Sequence, residues 1–243
     1  MTIQEIRLGK NKKSIFKDHV MSILPDGGNL NLCLTCGACA SGCPAAGIGD
    51  MDPRRFLRLA AMGADDEILS DQWAWYCTMC QRCIYACPMK IDIPQLVFNV
   101  RASWPRETRP KGIVASCDAA LKHDTCSAMG VSEEDWHFVV EDVLDEVRNN
   151  QKGFEELQAP MDKVGAALFL NQNSREPVTE PEEMVPLWKI LDLARADWTY
   201  GSKGWGAENY CMFMADDAAW EKLLRIKVKA VEDLGCKVWL NTE

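Results

Sequence analysis

The sequence predicts a helical domain over residues 1–104, followed by a helix-rich linker and a small α/β domain over residues 105–243. Eight of the twelve cysteines lie in two runs of identical spacing between residues 33 and 87. Apolar segments with helical spacing follow each run. Short apolar runs alternate with longer helical patterns after residue 160, as in small parallel α/β layers.

The two cysteine runs are copies of one pattern, C-x-x-C-x-x-C-x-x-x-C-P. The second copy begins 44 residues after the first (77 − 33 = 44), and the same shift relates every other cysteine of the pair. Pro44 and Pro88 end the copies. The cysteines are Cys33, Cys36, Cys39 and Cys43 in the first run, and Cys77, Cys80, Cys83 and Cys87 in the second.

Helices are expected beside both runs. Asp52 followed by Pro53 is typical of a helix start, and the apolar spacing continues until Gly63. Another helix is expected to begin near Pro94. Residues 105–112 combine two prolines, charges and a glycine, which indicates the boundary between the two parts.

The C-terminal part shows one long amphipathic pattern after Ser132, with its apolar stripe at Trp136, Val139, Val140, Val143, Leu144 and Val147. Residues 164–170 and 237–240 are predicted strands, and residues 185–194 and 216–234 are predicted helices. This alternation favours a small parallel sheet.

Composition excludes several classes of function. A net charge of −9 without a long Lys/Arg block argues against nucleic acid as the main partner. The N-terminal residues lack the features of a signal peptide, and no segment reaches the roughly 20 continuous apolar residues that cross a bilayer. We therefore expect a cytoplasmic protein without direct membrane insertion, in which twelve cysteines indicate metal binding rather than disulfides.

The spacing within each run is typical of an iron–sulfur protein. Thiolates donate electron density to iron and tolerate its change of charge. Three closely spaced cysteines serve one cube, whereas the fourth reaches the neighbouring cube in two-cluster ferredoxins. The sequence thus predicts a two-cluster, ferredoxin-like helical domain with two 4Fe-4S clusters. The ligands assigned are Cys33, Cys36, Cys39 and Cys87 for cluster 1, and Cys77, Cys80, Cys83 and Cys43 for cluster 2.

Zinc is an alternative metal for a cysteine-rich site. Structural zinc sites pair two C-x-x-C units for one ion, so zinc is less favoured than iron–sulfur here. Gly37 and Gly42 are expected to supply unusual backbone torsions. Nearby cations are interpreted as solvated helix faces rather than tuning groups; these are Arg54, Arg55, Arg58, Arg82 and Lys90.

The remaining cysteines and the histidines show no spacing that indicates chemistry. Cysteine is among the most often buried residue types, so the four outside the runs are expected to be mostly core thiols. They are Cys117, Cys126, Cys211 and Cys236. No role is assigned to His19, His123 or His137, and no catalytic residue is predicted.

The segment CLTCGACASGCP and the stretch from MDPRRFLRLAAM to WYCTMCQRCIYACP resemble the C subunit of heterodisulfide reductase over roughly residues 25–103. The resemblance implies a protein that passes electrons between the flavoprotein A subunit and the cysteine-rich B subunit, in a hetero-oligomer. From RPKGIVASCDAALK onward, the chain is similar to the middle of larger iron–sulfur proteins of sulfur-metabolising prokaryotes. In those proteins a C-subunit-like part is fused to a B-subunit-like part. No C-C-G motif occurs here, so the disulfide-active site is expected on a partner.

These features predict an electron-relay subunit of a cytoplasmic heterodisulfide reductase-like complex with a link to sulfur-compound oxidation. Whether the chain itself takes part in catalysis stays open. Two alternatives also remain: an iron–sulfur subunit of a quinone-linked dehydrogenase, and a non-redox scaffold in which metal only stabilises the fold.

Overall fold

The structure is a computed structural model that describes residues 15–242. It divides into two compact units, one ending at Pro110 and the other starting at Lys111. The domain limits 1–104 and 105–243 stay a prediction. The expectation about a signal peptide concerns residues 1–14, which lie outside the described residues. Within residues 15–242, no helix has the length and apolar character needed to cross a membrane.

The N-terminal unit consists of short helices joined by tight turns. Its α-helices are α1 (Ile15–Ile23), α2 (Ala38–Ser41), α3 (Pro53–Met62), α4 (Asp65–Leu69), α5 (Arg82–Ala86) and α6 (Ile93–Ser103). Its 3₁₀ segments are Pro25–Leu32, Ile48–Asp50, Gln72–Trp75 and Arg106–Thr108.

Local hydrogen bonds fix both ends of helix α3, at the residues that the sequence pattern predicted. The Asp52 side chain accepts a hydrogen bond of 2.8 Å from the backbone N–H of Arg54, and Pro53 occupies the first turn. At the other end, Gly63 adopts a left-handed φ of 71° and its N–H donates to the carbonyl of Ala60. Both predicted ends of this helix are confirmed.

The N-terminal unit repeats one arrangement around its two cysteine runs. α3 packs against Pro25–Leu32, the segment that precedes the first run, and α6 packs against Gln72–Trp75, which precedes the second. The short helices α2 and α5 lie inside the runs and contact each other. An edge-on contact between the rings of Phe56 and Trp73, at 4.3 Å, belongs to the apolar core behind them.

The C-terminal unit is a three-stranded sheet with helices. The helices are α7 (Lys111–Ala120), α8 (Glu133–Asn150), α9 (Glu176–Thr179), α10 (Val185–Leu193), α11 (Tyr210–Phe213) and α12 (Asp217–Asp233), with a 3₁₀ segment at Pro181–Met184. The strands are β1 (Leu168–Leu170), β2 (Trp198–Thr199) and β3 (Val238–Leu240). The order is β2-β1-β3 and both pairs are parallel. The predicted parallel layer is therefore confirmed, although β2 was not predicted.

A cluster of aromatic rings forms the centre of this unit. Trp136 of α8 stacks on Trp205 with 4.1 Å between ring centroids, and it meets Tyr200 edge-on at 5.0 Å. The Tyr200 hydroxyl accepts a hydrogen bond from Trp188 Nε1 at 2.9 Å and donates to Gln172 Oε1 at 2.5 Å. The buried hydroxyl is thus paired both as donor and as acceptor, which satisfies the main requirement for burying it.

We predict that Gly206→Ala destabilises the C-terminal unit. A Cβ at Gly206 would overlap the backbone of Cys126, and the Gly206 N–H already donates to the Thr125 carbonyl at 3.0 Å. Overpacking of this kind costs about 1–3 kcal/mol. Gly112→Ala is the matched control, because nothing lies within 4 Å of its added Cβ. Urea unfolding should show a lower midpoint for Gly206→Ala only; equal midpoints would contradict the packing.

Candidate metal centre

Each cysteine run borders a cavity in the N-terminal unit. The first cavity has a volume of about 330 Å³, and its cysteines are Cys33, Cys36, Cys39 and Cys87. The second has a volume of about 380 Å³, and its cysteines are Cys43, Cys77, Cys80 and Cys83.

The fourth cysteine of each run lies at the cavity of the other run. Cys87 lies with the first run, and Cys43 lies with the second. The structure therefore brings together the same two groups of four cysteines that the sequence predicted. Their role as cluster ligands stays a prediction. Among residues 15–242, no three His, Cys, Asp or Glu side chains are grouped as a single-ion site.

The two loops have the same unusual backbone. Thr35 and Met79, 44 residues apart (79 − 35 = 44), both have φ of 56°. Gly37 has φ of 85°, and Gln81 at the matching position has φ of 64°. These left-handed residues bend the two loops at matching positions. The predicted need for glycine at position 37 is confirmed, whereas the prediction for Gly42 is wrong, because its φ of −88° suits any residue.

The thiols at each cavity influence one another electrostatically. Burial raises the pKa of Cys39 to about 11, and charge on Cys33 and Cys87 raises it further. Burial likewise raises the pKa of Cys77, with a contribution from Cys43 of the other run.

Burial has the same effect on another cysteine of the second cavity, because it raises the pKa of Cys83 to about 12. The exposed Cys80 differs, because the backbone N–H of Arg82 lowers its pKa. Four thiolates gathered in so small a space repel one another unless positive charge lies between them. Such a donor set fits an iron–sulfur core, in which thiolates hold iron.

All five cations that the sequence placed near the runs are exposed, which confirms their interpretation as solvated side chains. Arg54 borders the first cavity, but its side chain is 51% exposed and lies 3.8 Å from the Asp52 carboxylate. Arg82 borders the second cavity and is also exposed. Exposed charges act weakly, because water screens them.

Arg101 is a buried arginine that no sequence pattern singled out, and it donates a hydrogen bond to the carbonyl of Cys77 at the second cavity. It lies in the last turn of α6, where a basic residue usually faces solvent and complements the helix dipole. Its apolar neighbours along the helix were the only available signal, because they place position 101 on the buried stripe with Val97 and Val100.

Three of the four remaining cysteines are fully buried, as predicted: Cys117, Cys126 and Cys211. Cys236 is half-buried. Burial raises the pKa of Cys126 to about 12, so this thiol stays protonated near neutral pH. The Cys211 sulfur lies 3.9 Å from the carbonyl oxygen of Cys117. These thiols belong to the core of the C-terminal unit.

Tertiary structure joins His137, Ser202 and Asp162, which the sequence left unconnected. His137 Nε2 lies 2.5 Å from Ser202 Oγ, and the Ser202 hydroxyl also bonds to Asp162. A carboxylate only accepts hydrogen bonds, so the serine proton points to Asp162 and the histidine N–H donates to the serine oxygen. Here the serine lies between the other two groups, unlike a nucleophilic triad in which histidine takes the serine proton.

The C-terminal unit also contains an open cavity of about 1080 Å³ beside the carboxyl end of β1. The loop after β1 and the segment before α11 form much of its wall, through Asn173, Arg175, Glu208 and Asn209. The Glu208 carboxylate is held by the Ser174 N–H at 2.5 Å and by the Ser174 hydroxyl at 2.7 Å. No sequence pattern indicated this cavity.

Comparisons with known proteins agree with the cysteine geometry. Residues 29–91 match the family model of the 4Fe-4S dicluster domain. Over 111 residues, the chain is 37% identical to the C subunit of the H(2):CoB-CoM heterodisulfide,ferredoxin reductase of Methanothermobacter marburgensis, covering 45% of this chain and 58% of that protein.

The N-terminal part of the chain is similar to proteins named as heterodisulfide reductase C subunits. Over 97 residues it is also 31% identical to a protein of Archaeoglobus profundus that is named as similar to this C subunit, covering 39% of this chain and 52% of the relative. The chain thus spans about half the length of the curated relatives it matches. No solved structure matches it.

We predict that Gly37→Ala lowers the stability of the N-terminal unit by straining the first cysteine loop. A Cβ there meets only ordinary contacts, at 3.7 Å or more, so the cost comes from the left-handed backbone and amounts to about 1–2 kcal/mol. The matched change Gln81→Gly should be neutral or stabilising, because glycine relieves the same strain in the second loop. Urea unfolding of the N-terminal unit measures both. If Gly37→Ala were as stable as wild type, the loop geometry would be wrong.

Proposed function

We propose that this chain is an iron–sulfur electron-relay subunit of a heterodisulfide reductase-like complex. The observation that supports this most directly is the pair of cavities, each bordered by four cysteines and completed by a cysteine from the other run. The dicluster family match and the names of the relatives point in the same direction.

The proposed arrangement is a two-cluster, ferredoxin-like domain. Cys33, Cys36, Cys39 and Cys87 would hold one 4Fe-4S cluster, and Cys77, Cys80, Cys83 and Cys43 would hold the other. When bound, each cluster supplies one-electron chemistry. The chain orients the sulfurs through the left-handed residues of both loops, and it keeps water from one side of each cavity with the buried residues of α3 and α6.

Each cavity also has an edge that faces solvent. Cys36 and Cys80, the second cysteine of each run, are exposed, whereas Cys39 and Cys87 are buried. Leu34 borders the first cavity and is 67% exposed. An exposed apolar side chain beside an exposed ligand suits contact with a redox partner, since proteins exchange electrons where their centres approach closely. We propose that one edge faces the electron donor and the other faces the acceptor.

The proposed partners are a flavoprotein A subunit and a cysteine-rich B subunit, in a cytoplasmic hetero-oligomer. A relay has no bond-making step of its own, so the chain provides no general acid, base or nucleophile for it. The disulfide-active site would belong to the partner, and residues 105–243 would form an incomplete B-subunit-like region. A role in sulfur-compound oxidation is part of the same proposal.

We predict about eight irons and eight acid-labile sulfides per chain, because each of two clusters contains four of each. Visible and EPR spectra of the anaerobically purified protein should change reversibly with dithionite.

Cys36→Ser and Cys80→Ser should each lower the iron content, since each removes one proposed ligand. Cys236→Ser is the control and should retain all the iron, because Cys236 lies at neither cavity. Full iron in either loop variant would refute the ligand assignment.

We also predict that the isolated chain does not reduce a disulfide substrate with a chemical electron donor. Its clusters should nonetheless be reduced and reoxidised in that assay, as followed by absorbance. Steady disulfide reduction by the chain alone would show that it contains a catalytic site and is more than a relay.

A further inference from the structure

Arg101 is a charged side chain almost completely removed from water, with 1% of its surface exposed. Burial lowers its pKa from the ordinary value, while the neighbouring Cys77 thiolate opposes that shift. A guanidinium remains charged in proteins even when buried, so the cation persists at every pH at which the protein is folded. Burying a charge is costly unless hydrogen bonds and opposite charge compensate it.

The guanidinium is fixed to the segment that leads into the second cysteine run. Its Nε and one terminal nitrogen donate to the Ala74 carbonyl at 3.0 and 2.9 Å. The same terminal nitrogen donates to the Cys77 carbonyl at 2.5 Å, and the other contacts the Met79 sulfur at 3.4 Å. The charge also lies 5.3 Å from the centre of the Trp75 ring. These contacts hold a positive charge at the first cysteine of the second run.

The first cavity has no equivalent charge at the matching helix position. Arg101 is the ninth residue of α6, counted from Ile93, and the ninth residue of α3, counted from Pro53, is the uncharged and partly buried Ala61. The cation that borders the first cavity is Arg54, which is half-exposed and close to Asp52. Charge acts more strongly at a buried site than at the surface, because less water screens it.

We propose that Arg101 raises the reduction potential of the cluster at the second cavity above that of the cluster at the first. This inference rests on the proposed function, since it presumes that both cavities hold clusters. Reduction adds one negative charge to a cluster, and a fixed positive charge nearby stabilises the reduced form. With both clusters bound, an electron would pass favourably from the first cluster, which would become oxidised, to the second, which would become reduced.

The test is an EPR-monitored redox titration of the full chain with Arg101→Gln. We expect one midpoint potential to fall and the other to remain, with unchanged iron content. The signal that Cys80→Ser removes or alters identifies the cluster at the second cavity. Arg58→Gln is the control, because Arg58 is exposed and borders neither cavity, and neither potential should move.

Arg101→Lys separates charge from packing and serves as the test if Arg101→Gln fails to fold. A lysine retains the charge. In an Arg101→Lys chain with full iron content, the potential of the second cluster should therefore lie closer to its wild-type value than to the potential of the first cluster. Unchanged potentials in Arg101→Gln at full iron would overturn the inference. So would a second potential in Arg101→Lys at full iron that lies closer to the first potential than to its wild-type value. A wild-type chain without reducible clusters would instead refute the proposed function itself.

Discussion

The N-terminal unit depends on the exchange of one cysteine between its two loops. Cys87 completes the cysteine set of the first cavity, and Cys43 completes that of the second. Neither loop can therefore form its site before the other has folded beside it. α2 and α5 contain only four and five residues, far below the length at which an isolated helix is stable in water. Metal binding at such sites contributes directly to folding, because the ligands meet only in the folded state.

The helices that flank the loops give the two cavities different surroundings. α3 and α6 pack in the same way against the segments before the two runs, and their apolar residues form one core. The two helices differ in charge at one matching position, where α6 buries Arg101 and α3 has the partly buried Ala61. A duplicated fold can in this way give two cysteine sites of the same composition different electrostatic surroundings.

The C-terminal unit is organised around loops rather than long strands. Asn171, directly after β1, donates from its side-chain amide to the carbonyls of Gly204 and Trp205 at 2.7 and 2.9 Å. The Ser174 hydroxyl and N–H hold Glu208 in the same region. These side-chain hydrogen bonds hold the loops beside three very short strands, whose own ladder contains few hydrogen bonds.

The sequence by itself determined whatever depends on neighbours along the chain. The cysteine spacing, the cap at Asp52, the apolar stripe after Ser132 and the strands near 168 and 238 follow from local rules of capping and periodicity. Tertiary structure alone decided the hydrogen bonds of Arg101, the pairing of the two-residue strand β2 and the contact between His137 and Ser202. The pairing of β2 and the contact of His137 involve residues far apart in sequence or a segment too short to show a period, so no local pattern encodes them. The apolar neighbours of Arg101 along α6 place it on the buried stripe, but the carbonyls that accept its hydrogen bonds come from another segment.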